Sequence, residues 1–462
     1  MNAGKLKKNA AFSIVEVLVS GLGLFLIYRN VVAVLGVSML GVWSLVLATT
    51  SFGRLADIGI AAGLSRFIAK ACSGSKPDAA PRYFLTGLVS VALIMGVVAL
   101  IGWWPLHSAL SLALSGEELQ TARKLLPWAL LTFWLLNVNA VTASTLLGLE
   151  RADLRAITTI AGMCVQIAAT YLLIHRWGLQ GLAWAQALQY ILAIALSCIF
   201  LFRMSMFNPA GHWFSLKILK ELAGFGAKLQ IGTIANLLFE PASKIVLGHV
   251  AGTTTLGLFE MAYRMVYQAR NVAIMALQNL IPAFVSRLND SNETSTLFLK
   301  SNRTAALGGA MLMCGIIIAS PLISVMWLNH FDPIFCQLVG IVAFGWLVNI
   351  LSAPSYFYGM ATGRINSNII GQVLTGLLSP TLGYVMGIIW GPMLAVTGII
   401  VGKILGDLFA PIFNRPHGDI QNVVKSHRWT FGALFVTLIV DLTMQYVAIP
   451  SLGQNLTLVK YI

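Results

Sequence analysis

What most constrains this chain is a succession of apolar runs of about 20 residues, each separated from the next by a short polar connection. A run of that length crosses the hydrocarbon core of a bilayer as a helix. Besides a closed barrel, only a helix satisfies its own backbone polar groups there. The runs are too long and too continuous for barrel strands. With 58% hydrophobic and 10% charged residues and a mean hydropathy of +0.82, a soluble surface cannot be drawn around 462 residues. The expected class is an all-α polytopic membrane protein with spans near 10–30, 34–55, 83–104, 124–147, 154–174, 181–203, 222–248, 254–284, 303–327, 335–359, 367–389, 391–412 and 430–449.

The net charge of +14 follows from topology, not from a nucleic-acid partner. With Lys5, Lys7 and Lys8 inside, twenty Lys and Arg fall in inside segments, and Arg29, Arg123, Lys124, Arg176 and Lys460 fall outside. Positive charge collects on the cytoplasmic side, so the N-terminus is expected in the cytoplasm and, after thirteen spans, the C-terminus outside. The expected location is the cell inner membrane. The start, KLKKNAAFSIVEVLVSGLGLFLIY (5–28), has the basic flank of a signal peptide without a clean cleavage site and reads as a first span. Cys72, Cys164, Cys198, Cys314 and Cys336 form no CxxC pair, so neither a disulfide framework nor a metal site is expected. No cofactor motif is present. Gly398 to Lys403 falls short of a phosphate-binding loop, and Gly398, Gly402 and Gly406 read instead as a small-residue stripe for close helix packing. The loops are too short for a soluble catalytic domain. The longest outer connection, PLHSALSLALSGEELQ (105–120), could lie on the interface as an amphipathic helix.

The chain repeats itself. Leu40-Gly41-Val42-Trp43 recurs as Leu256-Gly257-Leu258-Phe259, Trp134-Leu135-Leu136-Asn137 as Trp346-Leu347-Val348-Asn349, and Trp177-Gly178 as Trp390-Gly391, at offsets of 216, 212 and 213. Three matches in order at nearly one offset indicate duplication of a six-helix unit. Six is even, so the copies share an orientation and would be related by an axis along the membrane normal. The expected division is a six-helix lobe over 1–210, a second over 211–415, and an extra helix with a short tail over 416–462.

Charge inside the spans marks the candidate site. Lys228, Lys244, Arg264, Arg270 and Lys403 lie within apolar runs, where each would cost about 2.5–3.5 kcal/mol at a bilayer centre. Glu240 with Lys244 and Glu260 with Arg264 stand one helical turn apart and can pair. These pairs either contribute to a cationic cavity for an anionic head group or simply hold two helices together. Arg270 has no carboxylate one turn away. An intramembrane cation left so is a functional-site candidate. Among the acids, Glu16, Asp407 and Asp441 could take up a proton or sodium ion. Asp407 can instead pair with Lys403, Asp57 with Arg54, and Glu16 has no partner nearby in sequence. The aromatics Tyr356-Phe357-Tyr358 and Trp103-Trp104 read as interfacial belts, or as surfaces for a sugar or polyprenyl tail.

LGVSMLGVWSLVLATTSFGRLADIGI (35–60), GLERADLR (148–155), LKELAGFGAKLQ (219–230) and SKIVLGHVAGTTTLGLFEMAYR (243–264) together resemble the polysaccharide or O-antigen flippases of the multidrug/oligosaccharidyl-lipid/polysaccharide exporter superfamily. The resemblance covers spans 1–12. It implies two six-helix lobes around a central cleft, rocking between inward-open and outward-open states to carry an undecaprenyl-diphosphate-linked oligosaccharide to the outer leaflet. It also implies a positive lumen to which Lys244, Arg264 and Arg270 contribute. The partners it implies are the lipid-linked oligosaccharide, membrane lipids, a coupling H+ or Na+, and a glycan polymerase or other pathway proteins. Two positions depart from the family pattern: Ser243 stands where an acid commonly precedes the lysine, with Glu240 three residues earlier, and Phe259 stands where a tyrosine is usual. A cation-coupled multidrug exporter of the same superfamily is the alternative, although the charge within the second lobe is basic. A membrane glycan ligase or polymerase is the second alternative, disfavoured by the short outer loops.

Overall fold

The computed structural model describes residues 3–53, 59–73, 79–207, 213–277, 280–288, 290–414, 416 and 420–448. Among them the secondary structure is helical throughout: α1 (Ala3–Leu35), α2 (Val37–Ser51), α3 (Ile60–Ser73), α4 (Ala79–Ala109), α5 (Gly116–Gly148), α6 (Ala152–Arg203), α7 (Leu216–Leu277), α8 (Leu280–Val285), α9 (Ser291–Leu328), α10 (Pro333–Thr362), α11 (Asn366–Trp390), α12 (Pro392–Asp407), α13 (Phe409–Phe413) and α14 (Ile420–Thr443). Ten are long and apolar enough to cross a membrane, and the chain is a multi-pass membrane protein. The expected spans map onto these helices, though not one to one. At 1.5 Å per residue α6 would extend about 78 Å, far more than one crossing. Gly178 interrupts it with φ 52 and ψ −132. Gly252 interrupts α7 in the same way, with φ 76 and ψ 171. The helix continues through Pro241, so the break in α7 falls at the glycine and not at the proline.

The duplication is written in the backbone as well as in the side chains. Ten described residues have left-handed φ, and eight of them form four pairs: Gly36 with Gly252, Gly116 with Asn329, Glu150 with Gly363, and Gly178 with Gly391. The first pair is separated by 216 residues and the other three by 213, matching the sequence offsets. Gly36 (φ 84, ψ 168) and Gly252 (φ 76, ψ 171) even share their ψ. A Cβ resists this conformation, and glycine is retained in both copies at the first and last of these pairs.

The chain divides into two compact units, Met1–Leu237 and Leu238–Ile462. The first holds α1 to α6 and the start of α7. It includes a helix that hydropathy alone does not reveal: α3, in the stretch expected as a cytoplasmic loop. Ile60, Leu64 and Ile68, one turn apart, are fully buried against Phe84, Val91, Leu146 and Leu222, and Arg66 stacks 4.5 Å above the Phe225 ring. The outer stretch 105–120 forms no separate surface helix. Instead α4 runs to Ala109, a 3-10 turn covers Leu110–Leu112, and α5 starts at Gly116.

In the second unit α10 is the central element, buried along most of its length. Its Tyr358 packs edge-on to Phe284 and Phe298 at 5.5 and 5.9 Å. The 356–358 aromatics are therefore interior packing and not an interfacial belt, whereas Trp104 is 80% exposed and keeps the belt reading. The glycine stripe of α12 lies directly on α11. A Cβ at Gly398 would come within 2.5 Å of the Leu382 carbonyl oxygen, and one at Gly402 within 2.5 Å of the Ser379 nitrogen. Only glycine permits helices this close.

Candidate functional site

The register of α12 builds the site. With Gly402 and Gly406 turned to α11, the next residues Lys403 and Asp407 are rotated by about 100° and meet α10. Lys403 bonds Asp407 and lies 4.0 Å from the centre of the Trp346 ring. The other Asp407 oxygen accepts from the Asn349 side-chain nitrogen at 2.9 Å. Asn349 in turn accepts from Arg270 Nε at 2.8 Å through its amide oxygen. A relay thus runs Lys403, Asp407, Asn349, Arg270 across α12, α10 and α7. Arg and Asp leave the amide only one orientation, since the guanidinium can only donate and the carboxylate can only accept.

Arg270 is held without being neutralised. Its Nε and Nη1 donate to the amide oxygens of Asn349 and Asn271, at 2.8 and 3.1 Å. Among the described residues it makes no ion pair and its Nη2 makes no hydrogen bond. Its guanidinium carbon lies 5.3 Å from the Trp346 ring and 5.9 Å from that of Tyr267. The indole nitrogen of Trp346 is buried with no hydrogen-bond partner among the described residues, and such donors are uncommon in folded proteins.

One aromatic step away the other charges form a closed ring of four. Lys244 lies 2.7 Å from both Glu240 and Glu260, and Arg264 lies 2.8 Å from Glu240 and 2.7 Å from Glu260. Two of these contacts are the one-turn pairs legible in the sequence. The other two cross between the segments 216–251 and 253–277 and pin the hairpin reversed at Gly252. Lys244 and Glu260 are each 1% exposed, whereas the Arg264 and Glu240 side chains remain about a third open. Tyr263 and Tyr267, stacked at 5.7 Å, bridge this ring to Trp346. The formal charges of the ring sum to zero. Arg270, Lys403 and Asp407 sum to +1, and that surplus resides beside a planar aromatic wall.

The remaining candidates lie elsewhere. Glu16 accepts from Arg155 of α6 at 2.6 Å in the first unit, a partner 139 residues away that no local reading could supply. Asp441 of α14 accepts from Gln445 at 2.9 Å and presses on α10, where a Cβ at Gly340 would overlap its carboxylate. Arg54, Asp57 and the side chain of Lys228 lie outside the described residues. Asn349 and Trp346 were visible beforehand only as the repeat motif they share with Trp134 and Asn137.

A family model described as polysaccharide biosynthesis protein matches residues 6–289. The amylovoran biosynthesis protein AmsL of Erwinia amylovora is 23% identical over 217 residues, 46% of this chain and 55% of that protein, so the chain spans about half the length of this curated relative. Among solved structures, the inward-facing form of a multidrug resistance MATE family transporter of the MOP superfamily matches with a TM-score of 0.72 at 15% identity, over 89% of this chain and 94% of that one. The lipid II flippase MurJ, in an inward closed conformation, matches with a TM-score of 0.68 at 12% identity, over 97% and 99%. At these identities the two structures establish the fold.

Proposed function

The chain belongs to the polysaccharide biosynthesis protein family, and from that membership we propose that it is a flippase carrying an undecaprenyl-diphosphate-linked oligosaccharide from the cytoplasmic to the outer leaflet of the inner membrane by alternating access. No bond is made or broken in this reading, so no enzymatic residue is required. The observation that carries it is the surplus charge at Arg270, held by neutral amides in an apolar helix. A guanidinium presented this way can bind a diphosphate by charge-assisted hydrogen bonds. The half-buried Tyr267 ring beside it offers a face for the sugar nearest the diphosphate, backed by the buried Trp346. Arg264, about a third open, adds a second donor, and the buried Lys244 holds both glutamates, and through them Arg264, in place. Glu16, Asp407 and the ring acids Glu240 and Glu260 are the groups through which an H+ or Na+ would couple.

The test is glycan display in cells whose only copy of the protein carries Arg264→Gln and Arg270→Gln. The reading expects normal insertion of the chain and loss of the surface glycan. Wild-type display would remove both arginines from the substrate path. Drug resistance on overexpression would favour the multidrug exporter, and glycosyl transfer by the purified protein would favour a membrane enzyme.

A further inference from the structure

Helix α14 stands outside the repeat, and the proposed transport gives it no task. At the end placed in the cytoplasm by the proposed orientation, Arg428 and Trp429 of α14 meet Arg303 of α9. The two guanidinium carbons lie 5.2 and 4.8 Å from the centre of the same indole. They are therefore no more than about 10 Å apart, and among the described residues neither makes an ion pair. Two like charges drawn to one ring form a site for an anion that bridges them. Next to them an apolar groove of about 500 Å³ is lined by Phe344 of α10 and by Phe431, Gly432, Leu434, Phe435 and Leu438 of α14.

Phe431, Gly432 and Phe435 lie within about 60° of Arg428 around the helix, so Arg428 stands about one turn from the groove on the same face, with Arg303 reaching it across Trp429. Phe431 and Phe435 are 66% and 63% exposed. Gly432 forms a notch between them, where an added Cβ would meet nothing within 4 Å. An apolar groove in a membrane takes an acyl chain from any lipid, and the charge beside it selects among head groups. The cytoplasmic leaflet is where anionic lipids and basic protein segments meet. We propose that α9, α10 and α14 bind an anionic glycerophospholipid, its phosphate between Arg303 and Arg428 and one acyl chain along Phe431, Gly432 and Phe435.

The test uses the purified full chain, delipidated in detergent, and follows its thermal unfolding as lipid is added. Phosphatidylglycerol should raise the midpoint more than phosphatidylcholine. Arg303→Ala with Arg428→Ala should abolish the difference, with a loss of roughly tenfold or more in apparent affinity for the anionic lipid. Gly432→Trp, whose Cβ meets nothing within 4 Å and whose indole would fill the notch, should weaken both lipids. Should that variant fail to fold, Gly432→Leu serves in its place. Equal shifts with the two phospholipids, or undiminished selectivity in the double arginine variant, would overturn the proposal. A larger shift with undecaprenyl phosphate than with phosphatidylglycerol would also overturn it, by assigning the groove to the transported lipid. Because Arg264 and Arg270 are intact throughout, these outcomes do not depend on the transport reading.

Discussion

Lys244 and Arg270 are both cations in apolar helices, and their surroundings give them opposite tasks. Lys244 sits 2.7 Å from two carboxylates, one of them as buried as itself. Lys244→Met would leave Glu240 and Glu260 sharing Arg264 as the one remaining cation of the ring, and removing one partner of a buried pair typically costs up to about 3–5 kcal/mol. The expected outcome is a markedly lower unfolding midpoint in detergent. Arg270 loses two bonds to neutral amides together with an uncompensated charge in an apolar helix, so the two effects offset and Arg270→Gln should lower the midpoint less than Lys244→Met while removing transport. Asn349→Asp separates charge from shape. It keeps the side chain's size but sets a carboxylate against Arg270, and transport should fall to the Arg270→Gln level; because Asn349 also donates to Asp407, the two carboxylates would face each other and the unfolding midpoint should fall too. Full glycan display by Asn349→Asp would show that the uncompensated charge is irrelevant. The charged residues were legible in the sequence because a charge within an apolar run is conspicuous. Asn349 was not: an amide in a helix has no local mark, and its role depends on Arg270 and Asp407, 79 and 58 residues away.

Among the elements, α12 shows how packing positions chemistry. Its glycine stripe fixes which residues face α11 and thereby turns Lys403 and Asp407 toward Asn349. Gly402→Ala would bring a Cβ within 2.5 Å of α11 backbone. The helices would have to separate, at a typical cost of about 1–3 kcal/mol, and the Asp407–Asn349 bond should be weakened with them. Gly308→Ala in α9, where a Cβ meets nothing within 4 Å, is the matched control and should leave unfolding and transport unchanged. Both variants can be scored by midpoint and by glycan display. Hydropathy revealed the helices and the stripe because bilayer length and small-residue spacing are properties of local sequence. It passed over α3, whose three inward apolar residues are interleaved with Arg66 and Lys70, and it could not show that Tyr358 turns inward to Phe284 and Phe298.

Across the whole molecule, one scaffold has been used twice, and most of the charge within its spans lies in the second use. The left-handed residues recur at 216 and 213, and the Trp-Asn motif recurs as Trp134 with Asn137. Apart from Arg270, which falls on Arg54 at 216, the ionic residues do not. At those offsets Glu260 and Arg264 correspond to Ser44 and Ala48, and Lys403 and Asp407 to Tyr190 and Ile194. Trp134, with no cation over its ring among the described residues, donates to the Ala92 carbonyl at 2.8 Å, whereas the Trp346 nitrogen has no partner among them. Such divergence fits a duplicated frame whose second copy surrounds the repeated arginine with further ionic residues. The most direct measurement is leaflet transfer of an undecaprenyl-diphosphate-linked oligosaccharide in proteoliposomes, comparing the wild-type chain with Arg270→Gln at equal incorporation. Transfer by the wild type with background transfer by the variant is the predicted result, and transfer at wild-type rate by Arg270→Gln would contradict the account.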